Sequence, residues 1–141
     1  MVKKKLFDKC VGLLEESGLG ENAFCEVTWV FEDVAEGEDI TPEQEKRISD
    51  IVTRRCEGYP LQYLLGQWEF YGLPFKVGEG VLIPRQDTET IVDTALKMFA
   101  GKKDITVIDL CSGSGCIGIT LERKLDCGRA VCVEKSEKAA E

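Results

Sequence analysis

The strongest constraint on this chain lies in residues 105–118, where Ile105-Thr106-Val107-Ile108-Asp109-Leu110 runs directly into Cys111-Ser112-Gly113-Ser114-Gly115. A short, mostly apolar run rich in β-branched residues reads as a strand. The Gly/Ser turn after it leads to a helix carrying Ile117, Ile119, Leu121 and Leu125, and a second strand is expected near Ala130–Val133. Strand, helix and strand in that order join parallel neighbours, and doubly wound sheets grow from this unit. The fold class expected is α/β.

A turn almost free of side chains lets a ligand approach the backbone, and the helix behind it aims unpaired N–H groups at that ligand. Gly113, Gly115 and Gly118 satisfy G-x-G-x-x-G. Glu134, about 20 residues further on, ends the next strand, where a carboxylate can accept both hydroxyls of a ribose. An adenosine-containing ligand is therefore expected, although a purely structural turn could use the same residues. Dinucleotides and S-adenosyl-L-methionine share this geometry. Asp109, at the strand end, would repel a pyrophosphate dianion but could tether loop N–H groups or, through water, a methionyl ammonium. It could also cap its own turn with either ligand. The balance favours S-adenosyl-L-methionine.

Upstream the chain is helical. Leu6, Cys10, Leu13 and Leu14 form one stripe of a helix over residues 2–17, widened by Phe7 and Val11 and stopped by Gly18-Leu19-Gly20. Residues 21–35 place Ala23, Phe24, Val27, Val30, Phe31 and Val34 on a similar stripe, with Val27-Thr28-Trp29-Val30 leaving a strand open as an alternative. A polar break follows at 35–39. Thr41, Pro42 and Gln44 form a capping box with proline at the first helical position. The third helix buries Ile48, Ile51, Val52 and Cys56, and a short helical turn ends at Leu65. From Gln67 the period changes to two: Trp68 and Phe70 alternate with Glu69, Gly72-Leu73-Pro74 reads as the turn, and Phe75-Lys76-Val77 returns antiparallel. A further helix runs from about Thr88 to Phe99, with Ile91, Val92, Ala95, Leu96 and Phe99 on its apolar face.

Asp and Glu outnumber Lys and Arg by 26 to 18, for a net charge of −8. Binding along a phosphate backbone needs a basic face, so direct nucleic-acid binding is not expected. No apolar run approaches the ~20 residues of a membrane span, and residues 1–20 lack a signal peptide's apolar stretch and cleavage site. A cytoplasmic protein without a membrane partner is expected. Seven cysteines, an odd number, suit reduced thiols better than a disulfide framework. The pairs Cys111/Cys116 and Cys127/Cys132 sit at the loose edge of zinc spacing in a chain without histidine, so no metal is assigned.

Asp109-Leu110-Cys111-Ser112-Gly113-Ser114-Gly115 resembles motif I of class I S-adenosylmethionine-dependent methyltransferases. Three upstream segments resemble, in order, the HemK/PrmC family of release factor glutamine methyltransferases: Gly58-Tyr59-Pro60-Leu61-Gln62-Tyr63-Leu64-Leu65-Gly66, Glu69-Phe70-Tyr71-Gly72-Leu73-Pro74-Phe75, and Leu82-Ile83-Pro84-Arg85-Gln86-Asp87-Thr88-Glu89. The resemblance covers residues 41–134 strongly and the helices before them loosely. It implies a helical substrate-recognition domain over 1–66, a β-hairpin linker over 67–83, and over 84–141 the first β-α-β part of a Rossmann-like methyltransferase domain. It implies S-adenosyl-L-methionine as cofactor, held by Cys111, Ser112, Gly113, Ser114 and Gly115 with Glu134 at the ribose. Arg85 would lie near the mouth of the active site, although it could instead pair with Asp87 or Glu89. The partner implied is a peptide chain release factor, methylated on the glutamine of its Gly-Gly-Gln motif in translation termination.

Cys111 stands where many relatives have glycine, Gln86 replaces a common proline, and the segment between Val34 and Thr41 is short for the family. The family's Asn-Pro-Pro-Tyr motif, which grips the glutamine amide, does not occur in these 141 residues. The chain is thus expected to be an inactive N-terminal portion whose uncovered sheet promotes self-association. A nucleobase-amine methyltransferase shares the turn, and a non-catalytic docking module would keep residues 1–83 as its surface. Net charge and the upstream segments count against the first.

Overall fold

In the computed structural model the chain is described over residues 3–35, 37 and 39–140. Val2 of the first expected helix, and Glu36 and Glu38 of the expected polar break, lie outside the described residues. The chain divides into two compact units, residues 1–65 and 66–141.

The first unit is helical: α1 (Lys3–Glu16), a 3-10 turn (Gly20–Asn22), α2 (Ala23–Val34), α3 (Pro42–Cys56) and α4 (Leu61–Leu65). Leu6, Cys10 and Leu14 recur every fourth residue on α1 and meet Val27, Val30 and Phe31 of α2 and Ile48, Ile51 and Val52 of α3 in one core. That shared helical face overrides the β-branched character of Val27–Val30. Leu13 and Phe24, expected on the stripes, are instead 43% and 66% exposed, and Cys56 is half-buried. The stripes are narrower than expected at Leu13 and Phe24, while Phe7, Val11 and Cys56 pack partly buried against the core. The capping box of α3 is formed as read: Gln44 N donates to Thr41 Oγ1 at 3.2 Å, and Thr41 N donates to Gln44 Oε1 at 2.9 Å. Arg55 donates to both carboxylate oxygens of Glu26, at 2.6 and 3.0 Å, which ties α3 to α2 and raises the Arg55 pKa.

The second unit contains β1 (Gln67–Phe70), β2 (Leu73–Lys76), a 3-10 turn (Gln86–Thr88), α5 (Glu89–Met98), β3 (Ile105–Leu110), α6 (Cys116–Lys124), β4 (Cys127–Val133) and α7 (Glu137–Ala140). β1 and β2 pair antiparallel with Phe70 opposite Leu73. The turn is therefore Tyr71-Gly72, not the expected Gly72-Leu73-Pro74. Tyr71 and Gly72 have φ of 55° and 74°, the positive values at both central residues that suit a type I′ two-residue hairpin. Val77 N donates to Gly66 O at 3.0 Å, which marks Gly66/Val77 as a bonded pair. Alternation then makes Glu69/Pro74 an unbonded pair, so the N–H that proline lacks would have pointed out of the ladder.

The turn is pinned to α5, because Tyr71 N donates to Glu89 Oε1 at 2.8 Å and Tyr71 Oη to Asp93 Oδ1 at 2.7 Å. Phe70 and Phe75, with centroids 6.2 Å apart, join Val92, Cys116 and Leu121 in the second core. Ile91 and Ile119 were expected on apolar faces, yet both are exposed. Each lies beside a residue of its helix that is buried: Val92, which joins the second core, and Thr120.

β3 and β4 are parallel, in register from Thr106/Arg129 to Leu110/Val133. β4 starts three residues earlier than expected, and Gly128 is the extra residue between the pairs Ile105/Cys127 and Thr106/Arg129. Along β3 the faces alternate. Val107 packs into the second core, and Asp109 turns toward α6. Ile108 and Leu110 point the other way and are 63% and 70% exposed. The helical part followed by a parallel β-α-β unit is the expected α/β architecture.

Candidate functional site

The end of β3 turns back on itself through alternating left-handed residues: Cys111 at φ 61°, Gly113 at 54° and Gly115 at 74°. A non-glycine residue in this region is strained, so Cys111 carries a cost that glycine would not. Ser112 N donates to Val133 O at 3.1 Å, extending the parallel ladder past the strand end, and Gly115 N donates to Ser112 O at 2.8 Å to close the turn. Gly115 is then the N-cap of α6, with no side-chain cap of its own.

Asp109 supplies the missing acceptor. Its Oδ2 takes the Gly118 N–H at 2.8 Å, in the first turn of α6, where the helix dipole favours a carboxylate. Gly118 makes this approach possible. A Cβ there would lie 2.8 Å from Cys132 Sγ and 2.9 Å from Asp109 Cβ. The third glycine of the fingerprint thus lets helix and strand come together, and Asp109 caps α6.

Glu134 closes the other side. Its Oε2 accepts from Gly113 N and its Oε1 from Ser136 N, each at 2.8 Å. The N–H groups of Ser136 and then Gly113 hold its carboxyl below the usual range. Asp109, Cys111, Ser112, Gly113, Ser114, Gly115 and Glu134 therefore gather at one end of the β3/β4 pair. The glycine spacing pointed to Gly118 only as part of a fingerprint, and Ser136 carried no signal beyond standing two residues after an acid.

An adenosyl ligand fits this arrangement. A Cβ at Gly113 would meet nothing within 4 Å, so the turn's backbone is open to approach. Two carboxylates border the turn, which suits a cationic sulfonium better than a pyrophosphate. Burial pushes the Cys116 and Cys132 thiols up, away from nucleophilic character. All seven cysteines are free, and among the described residues no cluster of His, Cys, Asp and Glu could hold a metal. Arg85 is exposed, and Glu89 Oε1 accepts from the Tyr71 amide. On α6, the fully buried Thr120 hydroxyl has no hydrogen-bond partner among the described residues. No described helix is long and apolar enough to cross a membrane.

The profile of the PrmC N-terminal domain matches residues 25–66. The chain is 35% identical over 145 residues to the release factor glutamine methyltransferase of Fusobacterium nucleatum, covering 95% of this chain and 41% of that protein. It is 39% identical over 147 residues to the protein of the same name from Geobacter sulfurreducens, covering 96% of this chain and 50% of the relative. The chain belongs to the PrmC family. A third relative of that name, from Thermodesulfovibrio yellowstonii, is 39% identical over 106 residues, with 74% of this chain and 38% of the relative aligned. The chain thus spans half or less of the length of these family members.

Proposed function

We propose that this chain supplies the cofactor-binding β-α-β unit and the recognition helices of an S-adenosyl-L-methionine-dependent protein-glutamine methyltransferase. The observation that carries the proposal is the 2.8 Å contact between Glu134 Oε2 and Gly113 N, which joins the end of β4 to the open turn after β3. In this reading Glu134 accepts from the ribose hydroxyls, the 111–115 backbone lies along the methionyl end, and Asp109 keeps α6 in place behind the turn. When bound, the cofactor supplies an electrophilic methyl group on sulfonium sulfur. Residues 1–66 engage the release factor, and residues 67–83 connect them to the methyltransferase part at 84–141.

The acceptor is the glutamine side-chain nitrogen of the Gly-Gly-Gln motif, a poor nucleophile because its lone pair is delocalised. Positioning and hydrogen bonds to the amide are what such a reaction needs. No residue is assigned that task here, because the sequence contains no Asn-Pro-Pro-Tyr motif. The 141 residues alone are therefore proposed to be inactive, cytoplasmic and prone to self-association through the face of Ile108 and Leu110.

In protein of the relatives' length, Glu134→Ala should weaken S-adenosyl-L-methionine by about 1.5–3 kcal/mol in calorimetry, through loss of a charged acceptor. Gly113→Val should block the turn. Unchanged affinity in Glu134→Ala would move the adenosine site elsewhere. Labelled methyl transfer to an unmethylated release factor by the pure 141-residue chain would refute the assigned division of labour.

A further inference from the structure

We propose that Glu134 is also a positioning residue: the same carboxylate that would take the ribose diol already clasps the glycine turn, and both sets of bonds are held at once. The inference rests on the adenosyl reading of the site. An ionised carboxylate offers about four lone-pair positions, two on each oxygen. Oε2 uses one for Gly113 N and Oε1 uses one for Ser136 N, both at 2.8 Å. One position on each oxygen remains, and two adjacent hydroxyls present two donors. A vicinal diol therefore matches what the clasp leaves over, and the turn need not let go when the ligand arrives.

The clasp also explains how a strained segment keeps one shape. Cys111, Gly113 and Gly115 are all left-handed, which gives the turn little local preference for its conformation. Ser112 is anchored through Val133 O on one side of Gly113, and Gly115 through Ser112 O on the other. Gly113 itself is fixed through the Glu134 carboxylate. Ser136 orients that carboxylate from α7's side, so the clasp runs from the residues after β4, through Glu134, to the turn. Glu134 thereby links diol recognition to the order of the backbone along which the rest of the ligand would lie.

Amide exchange followed by NMR on the 141-residue chain tests this. Without ligand, the Gly113 and Ser136 amides should exchange at least about tenfold more slowly in the wild type than in Glu134→Ala, as befits bonds to a charged acceptor. The Gly118 amide, held by Asp109, should be unchanged and reports that the unit remains folded. Glu134→Gln, of the same shape, keeps one acceptor oxygen and should leave only one of the two amides protected. Adenosine should slow Gly113 exchange further in the wild type, and 2′-deoxyadenosine should do so less. A wild-type Gly113 amide as fast as that of Glu134→Ala overturns the clasp even if adenosine binds. Faster Gly113 exchange with adenosine overturns simultaneous bonding. Protected Gly113 with no response of the turn to adenosine overturns the diol role and the adenosyl reading with it, but not the clasp.

Discussion

Gly118→Ala isolates the closeness of α6 to β3. Gly118 has no positive φ, so alanine meets no backbone penalty and should gain about 1 kcal/mol of helix propensity. Against this, its Cβ would sit 2.8 Å from Cys132 Sγ and 2.9 Å from Asp109 Cβ. Ordinary carbon contacts lie at about 3.5–4.0 Å, so α6 must move outward by more than half an ångström. Overpacking of that kind costs about 1–3 kcal/mol. The same shift stretches the 2.8 Å bond from Gly118 N to Asp109 Oδ2, and a bond to a charged acceptor is worth about 1.5–3 kcal/mol. The net expectation is a loss of about 1.5–5 kcal/mol from the second unit. Urea unfolding monitored by Trp68 fluorescence in a Trp29→Phe background reads it. Adding Cys132→Ala removes the sulfur but leaves Asp109 Cβ in the way, so recovery should be partial. Alanine that stabilises the unit, or full recovery in the double variant, would refute the steric account.

Cys111→Gly should stabilise the second unit by about 0.5–1 kcal/mol in the same assay, because glycine accepts φ near +61° without a Cβ penalty. Thr120→Val replaces a fully buried hydroxyl that has no partner among the described residues by a methyl group of similar size and should stabilise by about 1–2 kcal/mol. Glu134 has a folded pKa below its ordinary 4.5, so the protons it binds are fewer in the folded chain. Its contribution is therefore present above pH 4.5 and is lost as the pH falls through the lower folded value; Gly113 amide protection, measured across an acid titration, should persist below 4.5 before it disappears.

Features fixed by neighbours in sequence were the most legible. The Thr41/Gln44 capping box is a local signal that no distant contact opposes, and it formed with both bonds. Val27–Val30 alone admit either helix or strand, and the long-range core decides for helix. In the sequence Pro74 suggests a turn, whereas only the ladder's alternation shows that proline's missing donor is harmless within β2. Glycine spacing and Glu134 could be read as one site, yet the partner of Asp109 could not. That choice depends on how closely α6 lies on β3, a distance set by an absent Cβ at Gly118.

The outward-facing position of Pro74 also bears on how the hairpin behaves in a crowded solution. Among the described residues β1 and β2 form a two-stranded sheet, so β2 has an outer edge. Such edges recruit foreign strands and seed aggregates when they present an unbroken row of donors. Of the outward-facing residues of β2, Pro74 has no N–H to give, and Lys76 brings a charge that an incoming strand would have to accommodate. Through β2 the hairpin can pair with itself while offering, on that edge, a poor template to another chain.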